Sequence, residues 1–212
     1  MGVKPTLGYS EVMTTTEEPR RPGARQRARE AMTAQIADMA VDLFVTNGYE
    51  QTTVEDICRV AEISRTTFFR YFGSKEELLL LGFDDLGASM LANLVQVPET
   101  ETPWAALRRS IEPLAAAYAR DQARNRLLVA LVIATPSLGP LHLKKLQGWT
   151  ELLRPEIARR LGRRADDPTD PAPGALVACA LACLDAALAA WVASDEAADL
   201  RRLFEHAADA IG

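Results

Sequence analysis

Thr52–Leu78 reads TTVEDICRVAEISRTTFFRYFGSKEEL. Thr52, Thr53, Val54 and Glu55 have the form of a capping box, in which the Thr52 hydroxyl and the Glu55 carboxylate each take an unpaired amide at the start of a helix. Val54, Ile57 and Ala61 supply the inner face of that helix. It is barely two turns long, because Ile63-Ser64 follows and Ser64 is a good N-cap for another short helix, with Phe68 and Phe72 one turn apart. Gly73-Ser74-Lys75-Glu76-Glu77 then restarts the pattern, with Ser74 as N-cap and Glu77 in the capping-box position. Two short helices joined by a tight turn are the geometry of a helix-turn-helix.

Upstream, Met32, Ile36, Met39 and Leu43 recur at helical spacing with Ala40 and Phe44 alongside, and Asn47-Gly48 stops that helix. Residues 1–28 hold Thr14, Thr15, Thr16, Pro19, Pro22 and Gly23 with almost no apolar periodicity, which predicts a disordered arm. Downstream of Ser74 a long helix runs to Val97 and is ended by Pro98. Further helices are expected at about 103–120, 122–135, 138–162, 174–194 and 196–211, with a Pro- and Asp-rich loop at 163–174. No strand alternation is seen. The fold class is therefore all-α, divided into an arm (1–28), a helix-turn-helix domain (29–75) and a helical bundle (76–212).

The quoted stretch resembles the signature of TetR-family regulators. It carries a Thr pair at the second helix, Ala and Ile-Ser around the turn, a Thr-aromatic-aromatic recognition helix ending in Tyr-Phe, and then Ser-Lys-Glu-Glu-Leu. Two positions depart from that pattern: Glu62 stands where the turn often has Gly, and Phe69 where Tyr is usual. The resemblance implies a dimer that binds palindromic double-stranded operator DNA, with two recognition helices roughly 34 to 36 Å apart, and that a small-molecule effector releases. The helix after Ser74 is then the natural lever between reading head and sensor domain.

The chemistry of the stretch agrees with that reading. Phe68 and Phe72 face inward while Arg65, Thr66, Arg70 and Tyr71 face out, and no acidic residue lies between Ser64 and Lys75. Arg65 and Arg70 suit base edges, because a guanidinium bonds guanine O6 and N7 as a fork. Thr53, Thr67, Tyr71 and Lys75 suit phosphates, with Ser64 at the helix N-terminus beside them. Phe69 offers an apolar contact to a sugar or a thymine methyl. Taken singly, each of these residues is equally a solvated or core side chain; it is their combination that points to DNA. Arg20, Arg21, Arg25, Arg27 and Arg29 crowd one segment, which is either a minor-groove arm or a solvated tail.

The bundle resembles a TetR subgroup taking acyl-CoA-like ligands, through RNRLLVALVIATPSL (124–138), LRPEIARRLG (153–162) and an Ala-rich helix ending near Trp191. That Ala-rich helix suits close approach of a neighbour in a homodimer. Its odd residue, Asp185, faces solvent or a cation across the bundle, or else lines a pocket. Pocket candidates are Phe83, Met90, Trp104, Tyr118, His142, Trp149 and Leu153, each of them otherwise bundle core.

A net charge of −5 over 212 residues excludes a protein that coats nucleic acid indiscriminately. Cys58, Cys179 and Cys183 have no CxxC spacing and His142 and His206 lie far from them, so no zinc site or other cofactor is expected. Cys179 and Cys183 share a helix face, as a redox pair or as simple packing. Glu-x-x-His pairs, Gly-rich phosphate loops and a Ser/His/Asp order are absent, which speaks against an enzyme. No uninterrupted apolar run reaches spanning length and no signal core is seen, so a cytoplasmic protein without membrane contact is expected. The alternatives kept are an activator, or a DNA binder with no effector.

Overall fold

The computed structural model describes residues 23–80, 83–119, 121–195 and 197–212. The first elements are α1 (Ala24–Asn47), α2 (Val54–Val60), α3 (Arg65–Tyr71) and α4 (Lys75–Leu80), followed by α5 (Phe83–Gln96) and α6 (Pro103–Ala119). Then come α7 (Gln122–Ala134), a 3-10 turn (Pro136–Leu138), α8 (Gly139–Arg160), α9 (Ala172–Ala193) and α10 (Leu200–Asp209). No strand occurs among the described residues. The fold is all-α, with an N-terminal helix-turn-helix and a C-terminal helical domain.

Local chemistry sets the boundaries. Helix α1 begins at Ala24, so residues 24–28, expected in the arm, already belong to it, while Arg20 and Arg21 lie outside the described residues. It stops where Gly48 takes φ +87°, a backbone that glycine adopts without Cβ strain. The capping box of α2 sits one residue later than expected. Thr53 is the N-cap, its hydroxyl accepting from Asp56 N at 3.2 Å while the Asp56 carboxylate accepts from Thr53 N at 3.0 Å. Thr52 is buried instead, its hydroxyl donating to Gly48 O at 2.8 Å and so tying the α1 terminus to the loop. Ser64 caps α3, accepting from Thr67 N at 3.1 Å. Ser74 accepts from Glu77 N at 3.2 Å, but the Glu77 carboxylate reaches back to Gly73 N rather than Ser74 N. Glu62 does take the left-handed backbone of the turn, at φ +53°, a conformation that costs an L-residue about 1 kcal/mol.

Two hydrophobic cores result. The first joins Ile36, Ala40, Phe44 and Tyr49 to Ile57, Phe68, Phe72, Leu78 and Leu79, and it is closed by Leu138 from the 3-10 turn. Leu128, Leu131 and Val132 of α7 pack on the same core. The second fills the bundle around α9, which packs on α6, α7, α8 and α10. Helix α9 is long and apolar enough to cross a membrane by length and composition. Here it is the central strut of the second core, with Val177, Leu184 and Trp191 buried. Two arginines, Arg160 with its side chain buried and Arg126 partly exposed, finish helix ends. Arg160 donates to Leu94 O at 2.8 Å and Val97 O at 2.7 Å at the end of α5, and Arg126 to Asp195 O at 2.8 Å past α9.

Expected and observed helices differ mainly at their ends. The helix expected from Ser74 to Val97 is described as α4 and α5, with residues 81 and 82 outside the described residues. Helix α10 starts at Leu200 rather than 196, because Asp199 caps it by accepting from Arg201 N at 2.9 Å.

Leu138 lies some sixty residues beyond the reading head in sequence yet is only 1% exposed inside the head's core. Leu138→Ala should therefore cost about 2–4 kcal/mol and loosen the first three helices. Urea unfolding with hydrogen exchange on α1–α3 checks this, and unchanged exchange there would show that the head is independent of the turn.

Candidate functional site

In the head, α3 presents one face and buries the other. Phe68 and Phe72 are sealed in the core with ring centroids 5.1 Å apart. Arg65, Thr66, Phe69 and Arg70 are exposed, and Thr67 and Tyr71 are partly covered. Arg65 pairs with Glu55 of α2 and lies 5.8 Å from the Phe69 ring. Both partners of that ion pair are more than half exposed, so it is a weak restraint that a stronger partner can displace. Tyr71 is flanked by two guanidiniums, Arg29 at 5.3 Å and Arg70 at 5.0 Å from its ring. The start of α1 thereby adds a cation beside α3, a contribution the arm reading had not separated from its neighbours.

Two of the expected phosphate residues are engaged internally. The Thr53 hydroxyl bonds Asp56, whose carboxyl Thr53 and then Arg59 hold down at about 2. Lys75 donates from Nζ to Tyr49 O at 3.0 Å and Thr52 O at 3.3 Å, with the ammonium 4.1 Å from the Tyr49 ring centroid. The Tyr49 hydroxyl in turn donates to Glu76 at 2.6 Å, and burial first, then that carboxylate, pushes its pKa well up. Lys75 is thus a structural fastener between the α1–α2 loop and α4.

In the bundle a cavity of about 290 Å³ opens among α6, α7, α8 and α9. Leu128, Val129, Val132 and Leu188 form its apolar wall. Its polar wall is Tyr118, His142, Lys145 and Asp185. His142 Nε2 and Asp185 Oδ2 are 2.8 Å apart, while His142 Nδ1 is buried without a hydrogen-bond partner. Burial, and then the Asp185 charge, raise the Tyr118 hydroxyl to about 12. Burial lowers the Lys145 amine to about 8, against the pull of Asp185. The Lys145 ammonium lies 4.9 Å from the Trp149 ring centroid. A second cavity of about 250 Å³, between head and bundle, shares Tyr118 and Leu128 with the first.

Of the expected pocket residues, Tyr118 and His142 line the cavity among α6, α7, α8 and α9. Met90 and Leu153 are sealed in the bundle core, and Trp149 stands behind Lys145. Trp104 lies beside the C-terminal Gly212, and the Phe83 side chain lies outside the described residues. Helical spacing cannot separate these cases, because core and cavity wall carry the same apolar stripe. Lys145 was missed, since one Lys in an amphipathic helix reads as solvated. Cys58 and Cys183 are buried, and burial raises both thiols.

Residues 36–81 match the family of bacterial regulatory proteins named tetR, and residues 101–212 match the MftR C-terminal domain. The regulator TcmR of Streptomyces glaucescens is 32% identical over 168 residues, covering 76% of this chain and 74% of TcmR. The chain belongs to the TetR family. A Mycobacterium tuberculosis relative named as the mycofactocin biosynthesis regulator MftR is 27% identical over 88% of this chain and 92% of its own. The TetR fold itself is shared with Bacillus subtilis FadR, solved in complex with stearoyl-CoA, at a TM-score of 0.58 and 22% identity over 83% of this chain and 95% of that one. As in its relatives, then, the work of this TetR chain is DNA binding and transcription regulation.

The fastener role of Lys75 has a measurable signature. Lys75→Met should lower stability by about 2 kcal/mol, roughly 4–8 °C in Tm. Its salt dependence of DNA binding should stay unchanged, whereas loss of a phosphate contact would reduce the salt slope by about one. Calorimetry and a salt series on the same variant separate the two.

Proposed function

We propose that this TetR regulator is a cytoplasmic, dimeric repressor that a small molecule releases from palindromic operator DNA. The reading rests above all on α3: its aromatic face is sealed in the core, and its opposite face is cationic and carries no acid. Arg65 and Arg70 read base edges, Arg65 by exchanging Glu55 for a guanine. Ser64, Thr66, Thr67, Phe69 and Tyr71 hold sugar and phosphate, helped by Arg29. Thr53 and Lys75 act from behind, through the α2 cap and the Tyr49 contact.

The effector is supported by the cavity and by its connection to the head. Leu128 and Val132 line the cavity and also pack on the head's core. Arg124, on the same helix, grips α1 through Asp38 at 3.1 Å and Asp42 at 3.2 Å. A ligand that prefers one placement of α7 therefore biases the head, and a coupling of about 1–3 kcal/mol changes operator affinity some 5- to 150-fold. The stearoyl-CoA held by FadR favours a small-molecule effector over an effector-free binder.

The dimer is supported by the outer face of α9, where Ala178, Ala182, Ala186, Ala189 and Ala193 are exposed at helical spacing. Small side chains let a second copy's helix approach closely, and the exposed Leu143 of α8 stands beside Ala178 and Ala182. Ala186→Arg should convert the protein to a folded monomer in sedimentation and weaken operator binding; an unchanged dimer would place the interface elsewhere.

The test of the head is a fluorescence titration on the intergenic DNA upstream of its own gene and on scrambled DNA, at about 150 mM salt. Wild-type protein should prefer the native sequence. Arg70→Ala should lose about 1–3 kcal/mol, roughly 5- to 150-fold, with its circular dichroism unchanged. Equal binding to both DNAs, unaffected by Arg70→Ala, would overturn the reading.

A further inference from the structure

We infer that Glu55 of α2 is a specificity-determining residue of the DNA site. When Arg65 leaves it for a guanine, the freed carboxylate accepts from the N4 amino group of the cytosine paired with that guanine, so the two side chains read one G·C pair together. This deepens the reading of Arg65 above and rests on it.

Position argues first. Glu55 is not consumed by its own helix, because Thr53 and Asp56 already form the capping box of α2. Among the described residues its partner is Arg65 instead, across the turn of the helix-turn-helix. Arg65 is the first residue of α3, and the N-terminal residues of a recognition helix are the ones that meet base edges. Both side chains are more than half exposed, so the pair contributes little to folding and both charges stand open to a docking duplex.

Chemistry argues next. A carboxylate left unpaired in a phosphate-lined groove loses hydration and is repelled, so release of Arg65 is favourable only where Glu55 also finds a donor. The major-groove edge of a G·C pair presents N7 and O6 as acceptors and then the cytosine N4 amino group as a donor. A guanidinium beside a carboxylate complements that row, with two donors and then an acceptor. One ion pair is thereby exchanged for two charge-assisted contacts. An A·T pair places its N6 donor between the acceptors N7 and O4, so the second arm of the Arg65 fork would meet N–H rather than oxygen. At such pairs Arg65 stays on Glu55.

The test replaces a single hydrogen on the DNA. Full-length protein selects duplexes from a randomised pool at about 150 mM salt. Fluorescence titrations of wild type, Arg65→Ala and Glu55→Ala then compare the selected duplex with versions in which each base pair is changed in turn. A further series replaces each cytosine by N4-methylcytosine. That base keeps Watson–Crick pairing and leaves guanine N7 and O6 untouched, but puts a methyl group where the outer N4 hydrogen stood. At the G·C pair whose preference Arg65→Ala loses, methylation should weaken wild type about 5-fold or more and change Glu55→Ala by about 2-fold or less.

A Glu55 that merely steadied α2 against α3 would leave the methyl effect identical in both proteins, and that result overturns the inference. So does a wild type indifferent to methylation of every cytosine, a result that needs no variant to fold. In either case the role of Arg65 stands if its own variant still loses a G·C preference. If Arg65→Ala alters the preference at no pair, the base-reading role of Arg65 falls and the inference falls with it.

Discussion

The reading head of this protein is not closed by its own residues. Helices α1 to α4 leave an apolar flank that Leu138, Leu128, Leu131 and Val132 cover. A domain of that size buries too small a share of its surface to be indifferent to such cover. Because Leu128 and Val132 are also cavity wall, one helix belongs at once to the packing of the head and to the space where a ligand would lie. Close-packed interiors do not deform smoothly, so a shift of α7 has to be answered in α1. Arg124 reinforces this, gripping Asp38 and Asp42 from the first turn of α7.

The second constraint is the carboxylate carried by the most apolar helix. Asp185 sits on α9 among alanines and leucines, where an unpaired charge would cost several kcal/mol. The structure answers with His142 at 2.8 Å and with Lys145 and Tyr118 nearby on the cavity. A cavity wall that already bears the cost of desolvated polar groups is suited to discriminating ligands by charge as well as by shape. Packing on α6, α7, α8 and α10 is what makes a helix apolar enough to span a bilayer the core of a bundle.

Much of the head was legible because its signals are local. Ser64 as N-cap, Gly48 as helix stop, the inward Phe68 and Phe72 and the left-handed turn at Glu62 all follow from what neighbouring residues do to the backbone. The capping box slipped by one residue for an equally local reason. Thr52-Glu55 and Thr53-Asp56 are both acceptable pairs, and the choice went to the register that lets Thr52 bury its hydroxyl against Gly48 O. The contacts of Lys75 with Tyr49 O and Thr52 O were not legible, because they depend on a loop more than twenty residues away.

The sequence alone determined the all-α class, the helix-turn-helix, the cationic outer face of α3 and the order of the bundle helices, since caps, breakers and periodicity act within a turn or two of the chain. Only the tertiary structure decided which apolar stripes became core and which became cavity, that Asp185 meets His142, and that Leu138 completes the head. Those outcomes depend on which helices meet and at what distance, and a single helix carries the same apolar stripe whether its neighbour fills the space beside it or leaves it open.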